Sequence, residues 1–448
     1  MNKFKKQSAL ILSTILLSSG FTFMPNHVEV NAQEVSSVQQ TVGADQKVIN
    51  RFDVERSFQT VKILSENFGP RVTGTEAEKQ AAHFLKKELE SYGYKVTEQS
   101  FSIPDKLAGE ISVSNAKEVL ANIPAGSAAT DEEGITAPIF DAKLGYAEDL
   151  TADAEGKIAL ISRGDITFTE KIMNAIEAGA IAAFIYDNTD NPAPLSMSLG
   201  DYESSIPVAG ITKESGEMLL TDIARTNETV TFHVDRMENI TSQNLIVTRT
   251  PKHVKNPTIV HVTAHYDSVP FSPGANDNAS GTSVVLELAR ILKSYPISKE
   301  VRFVFFGAEE IGLLGSQHYV NQLTEDEKAR SIANFNLDMV GTDWEKATSL
   351  FTNTVDGKAN LVTETAYSVA DRIGLTSPLT LYQRGSSDHV SFHEAGIPAA
   401  NFIRRQPGTA ALEPYYHTPN DTIAHISKER LMEAGTLVGV SVYDIIKK

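Results

Sequence analysis

The sequence contains no cysteine among its 448 residues. This absence excludes a disulfide framework, a zinc site built from thiolates and a cysteine nucleophile. Positive charge is also scarce, because 40 Lys and Arg residues stand against 57 Asp and Glu residues, which gives a formal net charge of -17. A protein that binds nucleic acid needs a basic face, so we expect no nucleic-acid partner for this chain.

Long apolar runs are missing as well. The run from Ala9 to Leu17 is too short and too rich in serine for a stable membrane span. It lies between a small residue suited to cleavage, Ala32, and three lysines, Lys3, Lys5 and Lys6. This layout is typical of a secretory signal, and secretion without cysteine suggests a bacterial source. We predict a signal peptide over residues 1–32, a flexible leader or propeptide over residues 33–48, and an extracellular protein with no membrane contact after signal removal.

The composition of the chain changes twice along its length, which predicts two domains. Residues 116–236 are rich in small residues, Gly and Pro, with short strands such as "GKIALIS" and "AIAAFIYDN". From about Glu238 strands alternate with helices, as in "TIVHVTAHYDS" followed by "GTSVVLELARILKSY". This alternation favours an α/β fold with a mixed, mostly parallel sheet sandwiched by helices. We assign that domain to residues 49–115 and 237–448, with a small, mainly-β domain inserted over residues 116–236.

Side chains that can bind a metal or transfer a proton follow the predicted strands of the larger domain. In open α/β sheets, sites form beyond the carboxyl ends of the strands. Two histidines and four carboxylates occupy such places or nearby loops: His265, Asp277, Glu309, Glu310, Asp338 and His417. Each residue alone is weak evidence, but their joint occurrence predicts a metal site.

Imidazole and carboxylate ligands without sulfur suit zinc, and manganese and cobalt also accept them. Five ligands are too many for one catalytic zinc ion, which takes three and keeps an open position. Two metal ions that share one bridging carboxylate would use five ligands and leave the sixth group as a general base. One of the adjacent pair Glu309 and Glu310 would then bind metal, while the other would take a proton from the attacking water.

Five blocks in order over most of residues 238–448 carry a specific resemblance: "HYDS", "NDNASGT", "GAEEIGLLGS", "NLDMVG" and "YYHTPNDT". They resemble the secreted di-zinc aminopeptidases, the bacterial leucyl-type enzymes of the zinc-exopeptidase fold. The resemblance implies that His265 and Asp338 bind one zinc ion, whereas Glu310 and His417 bind the other. It also implies that Asp277 bridges the two ions.

The same resemblance assigns roles to the neighbouring residues. Glu309 matches the general base of that family, and Tyr416 matches a tyrosine that stabilises the oxyanion. Asp267 matches a carboxylate that does not bind metal itself but orients the histidine ligand, here His265. Members of the family also tend to have a cis peptide bond after the bridging aspartate, which here is Asp277–Asn278.

The inserted segment "GKIALISRGDITFTEKIMNAIEAGAIAAFIYDN" resembles the protease-associated (PA) domain of several secreted peptidases. The resemblance implies a lid, a partner contact or a substrate contact rather than chemistry. The "RGD" at Arg163 to Asp165 is interpreted as part of a turn in that domain and not as an adhesion signal.

The run Ser387-Asp388-His389 is placed in a loop before a strand. It either lies near the substrate cleft or forms a network that supports His417. A Ser-His-Asp triad is excluded, because three consecutive residues cannot converge as nucleophile, base and orienting group.

We predict that the protein is a zinc-dependent aminopeptidase that releases N-terminal residues from peptides and proteins with a free N-terminus. One alternative is a carboxypeptidase, deacylase or cyclase on the same di-zinc fold. A carboxypeptidase needs an arginine for the C-terminal carboxylate, and three arginines are available: Arg384, Arg404 and Arg405. A binding protein that has lost catalysis is less favoured, because all ligands are present. The sequence leaves the preferred N-terminal residue open between leucine and arginine or lysine.

Overall fold

The fold was analysed in a computed structural model, which describes residues 43–113, 119–223 and 228–447. The architecture below is that of residues 45–448, which form one compact unit. The predicted signal peptide, residues 1–32, lies outside the described residues, as does most of the predicted leader. Within the described ranges, no helix is both long and apolar enough to cross a membrane.

The described residues contain fourteen strands in two sheets. In chain order they are β1 (Thr97–Ser102), β2 (Lys106–Val113), β3 (Ile135–Asp141), β4 (Ile158–Ser162), β5 (Ala182–Tyr186), β6 (Val208–Ile211), β7 (Thr229–Met237), β8 (Thr241–Arg249), β9 (Ile259–His265), β10 (Glu300–Phe306), β11 (Ser331–Leu337), β12 (Ser349–Thr354), β13 (Leu379–Gln383) and β14 (Ala399–Arg405).

The helices of the described residues fall mostly in the larger domain. In chain order they are α1 (43–51), α2 (Val54–Lys62), α3 (Glu76–Ser91), α4 (Phe168–Glu177), α5 (Lys213–Met218), α6 (Gly281–Leu292), α7 (Leu314–Gln322), α8 (Glu325–Arg330), α9 (Leu361–Ile373), α10 (His389–Glu394) and α11 (Lys428–Ile446).

The larger sheet has eight strands in the order β1-β8-β10-β9-β11-β14-β12-β13. Its central strands β10, β9, β11 and β14 are parallel, β8 runs antiparallel to both β1 and β10, and β12 is antiparallel to β14 but parallel to β13. Helices α2, α3, α6, α9 and α11 pack on one face, and α7, α8 and α10 pack on the other. The sheet is therefore mixed, mostly parallel in its centre and sandwiched by helices, which confirms the predicted fold class.

Double-sided burial explains the sequence of the central strands. Every residue of β9 is buried, and such strands read as continuous apolar runs rather than alternating ones. The polar members of these strands are paired inside the sheet. His261 lies within hydrogen-bond distance of Ser331 and Tyr319, and Thr263 donates to Asn336. The buried polar groups thus fix the alignment of β9 against its neighbours.

The smaller sheet has six strands in the order β2-β7-β3-β4-β5-β6. Strands β3, β4, β5 and β6 are parallel, and β7 pairs antiparallel with both β2 and β3. Apolar clusters cover both faces, one around Phe184 and Phe232 and the other around Ile161, Ile172 and Ile185. Strand β2 joins this sheet at residues 106–113, ahead of the predicted insertion, residues 116–236. The domain boundaries stay a prediction.

The predicted elements of the larger domain match the structure closely, because α3, α6, α9, α11 and the central strands lie where the periodicity places them. One placement was wrong in part. Ser387 and Asp388 lie in a turn, as predicted, but His389 begins α10, so a short helix and not a loop alone precedes β14. Strands β12 and β13 had no predicted counterpart.

A buried carboxylate links α3 to the larger sheet. Glu78 has no solvent exposure, accepts a hydrogen bond from the backbone of Gly74 at 2.6 Å and accepts another from Ser242 in β8. Burial, together with the nearby Asp267, raises the pKa of Glu78 from 4.5 to about 8, against the opposing effect of the hydrogen bonds. The folded state therefore holds a proton that the unfolded chain releases near pH 4.5.

This proton predicts a pH dependence of stability. The folded pKa of Glu78 lies above the unfolded value, so its contribution is fully present below about pH 4.5 and is lost as the pH rises towards 8. The free energy of unfolding of the parent should fall between pH 5 and pH 8, and that of Glu78→Gln should fall by about 2–4 kcal/mol less. Urea unfolding at the two pH values measures both changes. Glu76→Gln, an exposed glutamate in the same turn, is the control and should keep the parental slope. A parental slope in Glu78→Gln would contradict the prediction.

Candidate metal centre

Three predicted site residues lie at one edge of the larger sheet because three parallel strands end there. His265 is the last residue of β9, and Asp338 directly follows β11. Glu309 comes three residues after β10, which pairs with β9 on its other side. The adjacent order β10-β9-β11 brings these side chains together, as expected at the carboxyl ends of parallel strands.

Two further residues reach this edge from loops. Asp277 lies in the turn 275–280 that leads into α6, and His417 lies in the long loop between β14 and α11. The peptide bond Asp277–Asn278 is cis, as the resemblance predicts. Asp421, which lies in the same loop as His417, holds the backbone at Asp277. Its two carboxylate oxygens accept hydrogen bonds from the amides of Asn276 and Asp277, at 2.7 and 3.0 Å.

The six predicted side chains form one cluster with Asp277 at its centre. The Nε2 atom of His265 is 3.4 Å from Asp277 Oδ1 and 3.5 Å from Asp338 Oδ1. The Nε2 atom of His417 is 3.1 Å from Asp277 Oδ2 and 3.3 Å from Glu310 Oε2. Two sets of metal-capable atoms therefore share Asp277, one set with His265 and Asp338 and the other with Glu310 and His417.

The donor set fits metal ions better than it fits internal hydrogen bonds. Several of its buried atoms have no hydrogen-bond partner: Glu310 Oε1, Asp338 Oδ1 and His417 Nε2. Tetrahedral zinc with bonds of about 2.0–2.1 Å places neighbouring ligand atoms about 3.3 Å apart. The observed nitrogen-to-oxygen distances of 3.1–3.5 Å agree with that spacing. Unpaired donors that converge at this distance are the pattern of a site for a shared cation.

The pKa values of the cluster reveal its excess of negative charge. Burial raises the pKa of Glu310 to about 7, with a further rise from the charge of Asp277, and burial raises that of Glu309 well above its usual value. Burial alone would lower the pKa of His417, yet Asp277 and Glu310 raise it to about 10. The pKa of His265 is also raised against the effect of burial, chiefly by the charge of Glu309. Positive charge is thus strongly stabilised at this place.

Asp267 connects the backbone of the two glutamates to His265. Its carboxylate is 3.5 Å from His265 Nδ1 and accepts a hydrogen bond from Thr73 at 2.8 Å. It also accepts from the backbone amides of Glu309 and Glu310, at 3.2 and 3.3 Å. One buried carboxylate therefore contacts the strand ends of both β9 and β10.

The loop of residues 266–274, which follows β9, is held by a buried arginine that the sequence analysis did not identify. Arg71 is fully buried, and its guanidinium donates to five backbone carbonyls, those of Leu64, Gly69, Tyr266, Pro273 and Gly274. Burial lowers the pKa of Arg71 to about 10, so the group remains a cation at neutral pH. The loop that leads from His265 to Asp277 is thereby tied at both its ends.

Backbone strain accompanies the predicted metal ligands. Ala308, Met339 and His417 have positive φ angles of 57°, 62° and 57° although none is glycine. The first directly precedes Glu309, the second directly follows Asp338, and the third is itself in the cluster. Left-handed backbone at non-glycine residues is concentrated at functional sites, where surrounding contacts hold it.

Two more carboxylates beside the cluster were not predicted as parts of it. Glu413 is buried and accepts a 2.6 Å hydrogen bond from Asn276, and burial raises its pKa to about 8. Asp388 is fully buried, and burial raises its pKa to about 7. The adjacent Ser387 accepts a hydrogen bond from Asn336 in β11, and the Nε2 atom of His389 lies 2.9 Å from the carbonyl of Arg384. These contacts tie the run to the sheet; among its described hydrogen bonds, none is to His417.

Tyr416 and the three arginines have distinct surroundings. The Tyr416 ring stacks on His417 at 3.7 Å between centroids and is partly exposed. Arg404 is buried in an ion pair with Glu433. Arg405 is buried and donates to the carbonyl of Ala410. Arg384 is exposed and donates to Ser386.

Comparison with known proteins identifies both parts of the chain. Residues 244–442 match the model of Peptidase family M28, and residues 119–219 match that of the PA domain. Aminopeptidase YwaD of Bacillus subtilis (strain 168) is 53% identical over 397 residues, which are 89% of this chain and 86% of that protein.

Two solved structures are similar along almost the whole chain. BSAP, a zinc aminopeptidase from Bacillus subtilis, superposes with a TM-score of 0.74 at 53% identity, covering 89% of this chain and 96% of that one. The aminopeptidase from Aneurinibacillus sp. strain AM-1 superposes with a TM-score of 0.61 at 38% identity, covering 90% and 96%.

The contacts of Arg71 predict its effect on stability. Arg71→Met removes the donor of five carbonyls, three of them in buried hydrogen bonds, and we expect it to lower the free energy of unfolding by at least about 3 kcal/mol. Urea unfolding in excess chelator measures this loss independently of any metal. Arg51→Met is the control, since Arg51 is exposed and its side chain donates to Ser294, and it should change stability by less than about 1 kcal/mol. Equal losses in the two variants would contradict the bracing role.

Proposed function

This chain belongs to peptidase family M28 and is a zinc-dependent aminopeptidase with an inserted PA domain, and we propose that its active site holds two zinc ions. His265 and Asp338 would bind one ion, and Glu310 and His417 the other. Asp277 would bridge them. The observation that carries this proposal is the pair of donor sets that share Asp277, with nitrogen-to-oxygen distances of 3.1–3.5 Å.

When bound, the zinc ions would polarise the scissile carbonyl and lower the pKa of an attacking water. Glu309 is the proposed general base. It would take the proton of that water and pass it to the leaving amine. Its carboxyl lies at the same edge of the sheet, and it is the one glutamate of the pair outside both donor sets that share Asp277.

The negative charge of the cluster supports recognition of a free N-terminus. A peptide's α-ammonium group would be held by carboxylates such as Glu309 and Asp338, and an acylated N-terminus would lose that attraction. Tyr416 would stabilise the oxyanion, which its place beside His417 supports. Arg404 does not support the carboxypeptidase alternative, because it is held in a buried ion pair with Glu433. Arg405 is buried and donates to the carbonyl of Ala410, and Arg384 donates to Ser386, so neither has a contact that assigns it to a substrate carboxylate.

We also propose that the protein acts outside the cell, on peptides and proteins with a free N-terminus. The support is the predicted signal over residues 1–32. The assignment of residues 49–115 and 237–448 to the peptidase, and of residues 116–236 to the PA domain, likewise remains a proposal.

Blocked and free substrates test the aminopeptidase activity. With zinc supplied, we expect the mature protein to hydrolyse leucine p-nitroanilide and to leave its N-acetylated form intact, because only the free amine gains from the acidic cluster. Release of p-nitroaniline measures both reactions. Equal cleavage of the two compounds would contradict recognition of the N-terminus.

The adjacent glutamates form a matched pair for testing the two roles. Glu309→Gln should keep two zinc ions per chain and lose at least about 10³-fold in kcat, because it removes the base and not a ligand. Glu310→Gln should lose zinc, falling towards one ion per chain. Elemental analysis of the dialysed protein measures the zinc content per chain, and hydrolysis of leucine p-nitroanilide measures kcat. Full activity in Glu309→Gln, or loss of zinc in Glu309→Gln but not in Glu310→Gln, would reverse the assignment.

A further inference from the structure

A pocket of about 390 Å³ lies between the PA domain and the metal centre. The peptidase side of the pocket includes Tyr416 and His417 from the metal centre, together with Phe271 from the loop of residues 266–274. The PA side includes Arg163, Asp187 and Leu195. The inserted domain therefore forms a wall of the space next to a proposed zinc ligand.

Arg163 and Asp187 occupy this wall because two parallel strands end there. Arg163 follows β4 and Asp187 follows β5, and the last residues of these strands, Ser162 and Tyr186, are paired in register. The Nη1 atom of Arg163 donates to Asp187 Oδ1 at 3.0 Å. The smaller sheet thus presents a charged pair at the carboxyl ends of its strands, the usual place for a ligand site in such sheets.

The two side chains of the pair differ in exposure, and the arginine remains available to bind a ligand. The Asp187 side chain is 3% exposed and also accepts from the amides of Asn188 and Thr189 and from the Thr189 hydroxyl. Burial alone would raise the pKa of Asp187, yet the hydrogen bond from Arg163, followed by those from Thr189 and Asn188, lowers it below its usual value. The Arg163 side chain is 44% exposed, and the contact with Asp187 uses one of its five N–H donors. A buried, fixed carboxylate therefore orients an accessible guanidinium.

The pocket has an acidic cluster beside one end and the ion pair of Arg163 and Asp187 on its PA wall. Among the described residues that line it, Arg163 is the only lysine or arginine. The metal side carries the excess negative charge described above, and the whole chain has a net charge of -17. A peptide with a free N-terminus and a free C-terminus has the opposite polarity, because its ammonium end suits the acidic cluster and its carboxylate end suits the guanidinium.

We propose that Arg163 binds the C-terminal carboxylate of short peptide substrates whose N-terminal residue occupies the metal centre. Asp187 is the positioning residue that holds the guanidinium for this contact. The inference rests on the proposed aminopeptidase activity and adds a preference for short peptides with a free C-terminus. It also gives the "RGD" segment a role, since its arginine lies in the pocket wall and its aspartate accepts a hydrogen bond from Tyr146 at 3.3 Å.

Matched free acids and amides test the proposal. The substrates are Leu-Gly, Leu-Gly-Gly and Leu-Gly-Gly-Gly, each as acid and as amide, with leucine p-nitroanilide as a reference that has no carboxylate. The parent enzyme should show a lower KM for the acid than for the amide at one of these lengths, and that length reports the span from metal centre to Arg163. Arg163→Gln should raise the KM for that acid about 10- to 100-fold and leave the amide and the reference within about twofold.

Three further variants separate binding from a structural role. Arg236→Gln changes an exposed arginine of the same domain that does not line the pocket, and it should leave every KM unchanged. Arg163→Lys keeps the charge without the planar guanidinium and should restore part of the acid preference. Asp187→Asn should weaken the acid preference in the same direction as Arg163→Gln. Melting temperatures of all variants identify any that fail to fold.

Each outcome decides the proposal. An acid preference that disappears in Arg163→Gln supports it. Equal changes for acid, amide and reference would overturn it, because they would show that the pair only maintains the PA turn. A preference confined to an acidic second side chain, seen as Leu-Asp-Gly amide over Leu-Asn-Gly amide, would overturn the assignment to the C-terminal carboxylate. Failure of the parent to cleave any free-amine substrate would instead refute the aminopeptidase proposal, so the two failures are distinguishable.

Discussion

The structure depends on keeping concentrated negative charge buried at one edge of the larger sheet. Asp277, Glu309, Glu310 and Asp338 approach each other around two imidazoles, and such carboxylates repel when they lose solvent. Cations can offset this repulsion, which is why the arrangement suits a metal site. The surrounding chain must hold the ligands in place against their mutual repulsion.

The side chains that surround this site hold it mainly through hydrogen bonds to backbone groups. Asp421 accepts from the amides that carry Asp277, Asp267 accepts from those of Glu309 and Glu310, and Arg71 donates to the carbonyls of the loop between His265 and Asp277. Fixing the backbone fixes where each ligand side chain starts, so little ordering remains for metal binding itself. The residues with positive φ beside the ligands show that these contacts are strong enough to hold unfavourable conformations.

Both sheets gather charged side chains at the carboxyl ends of parallel strands. In the larger sheet, parallel strands end on the acidic cluster, and in the smaller sheet, parallel strands end on Arg163 and its partner Asp187. The pocket between them joins a region that attracts cations to one guanidinium. The inserted PA domain therefore forms one wall of the pocket beside the acidic cluster, as well as adding a separate fold.

The sequence by itself determined the layered α/β fold, the inserted domain and the residues that gather at the metal centre. It could do so because strand and helix periodicity, and the residue types at strand ends, are local properties of the chain. It did not reveal Arg71, whose partners Tyr266 and Gly274 are about 200 positions away, nor the bracing contacts of Asp421. These hydrogen bonds join side chains to backbone groups. Because nearly every residue type has the same backbone groups, no sequence motif indicates such bonds. Only the tertiary structure placed Arg163 in the cleft, because packing of one domain against another decided which loop faces the metal centre.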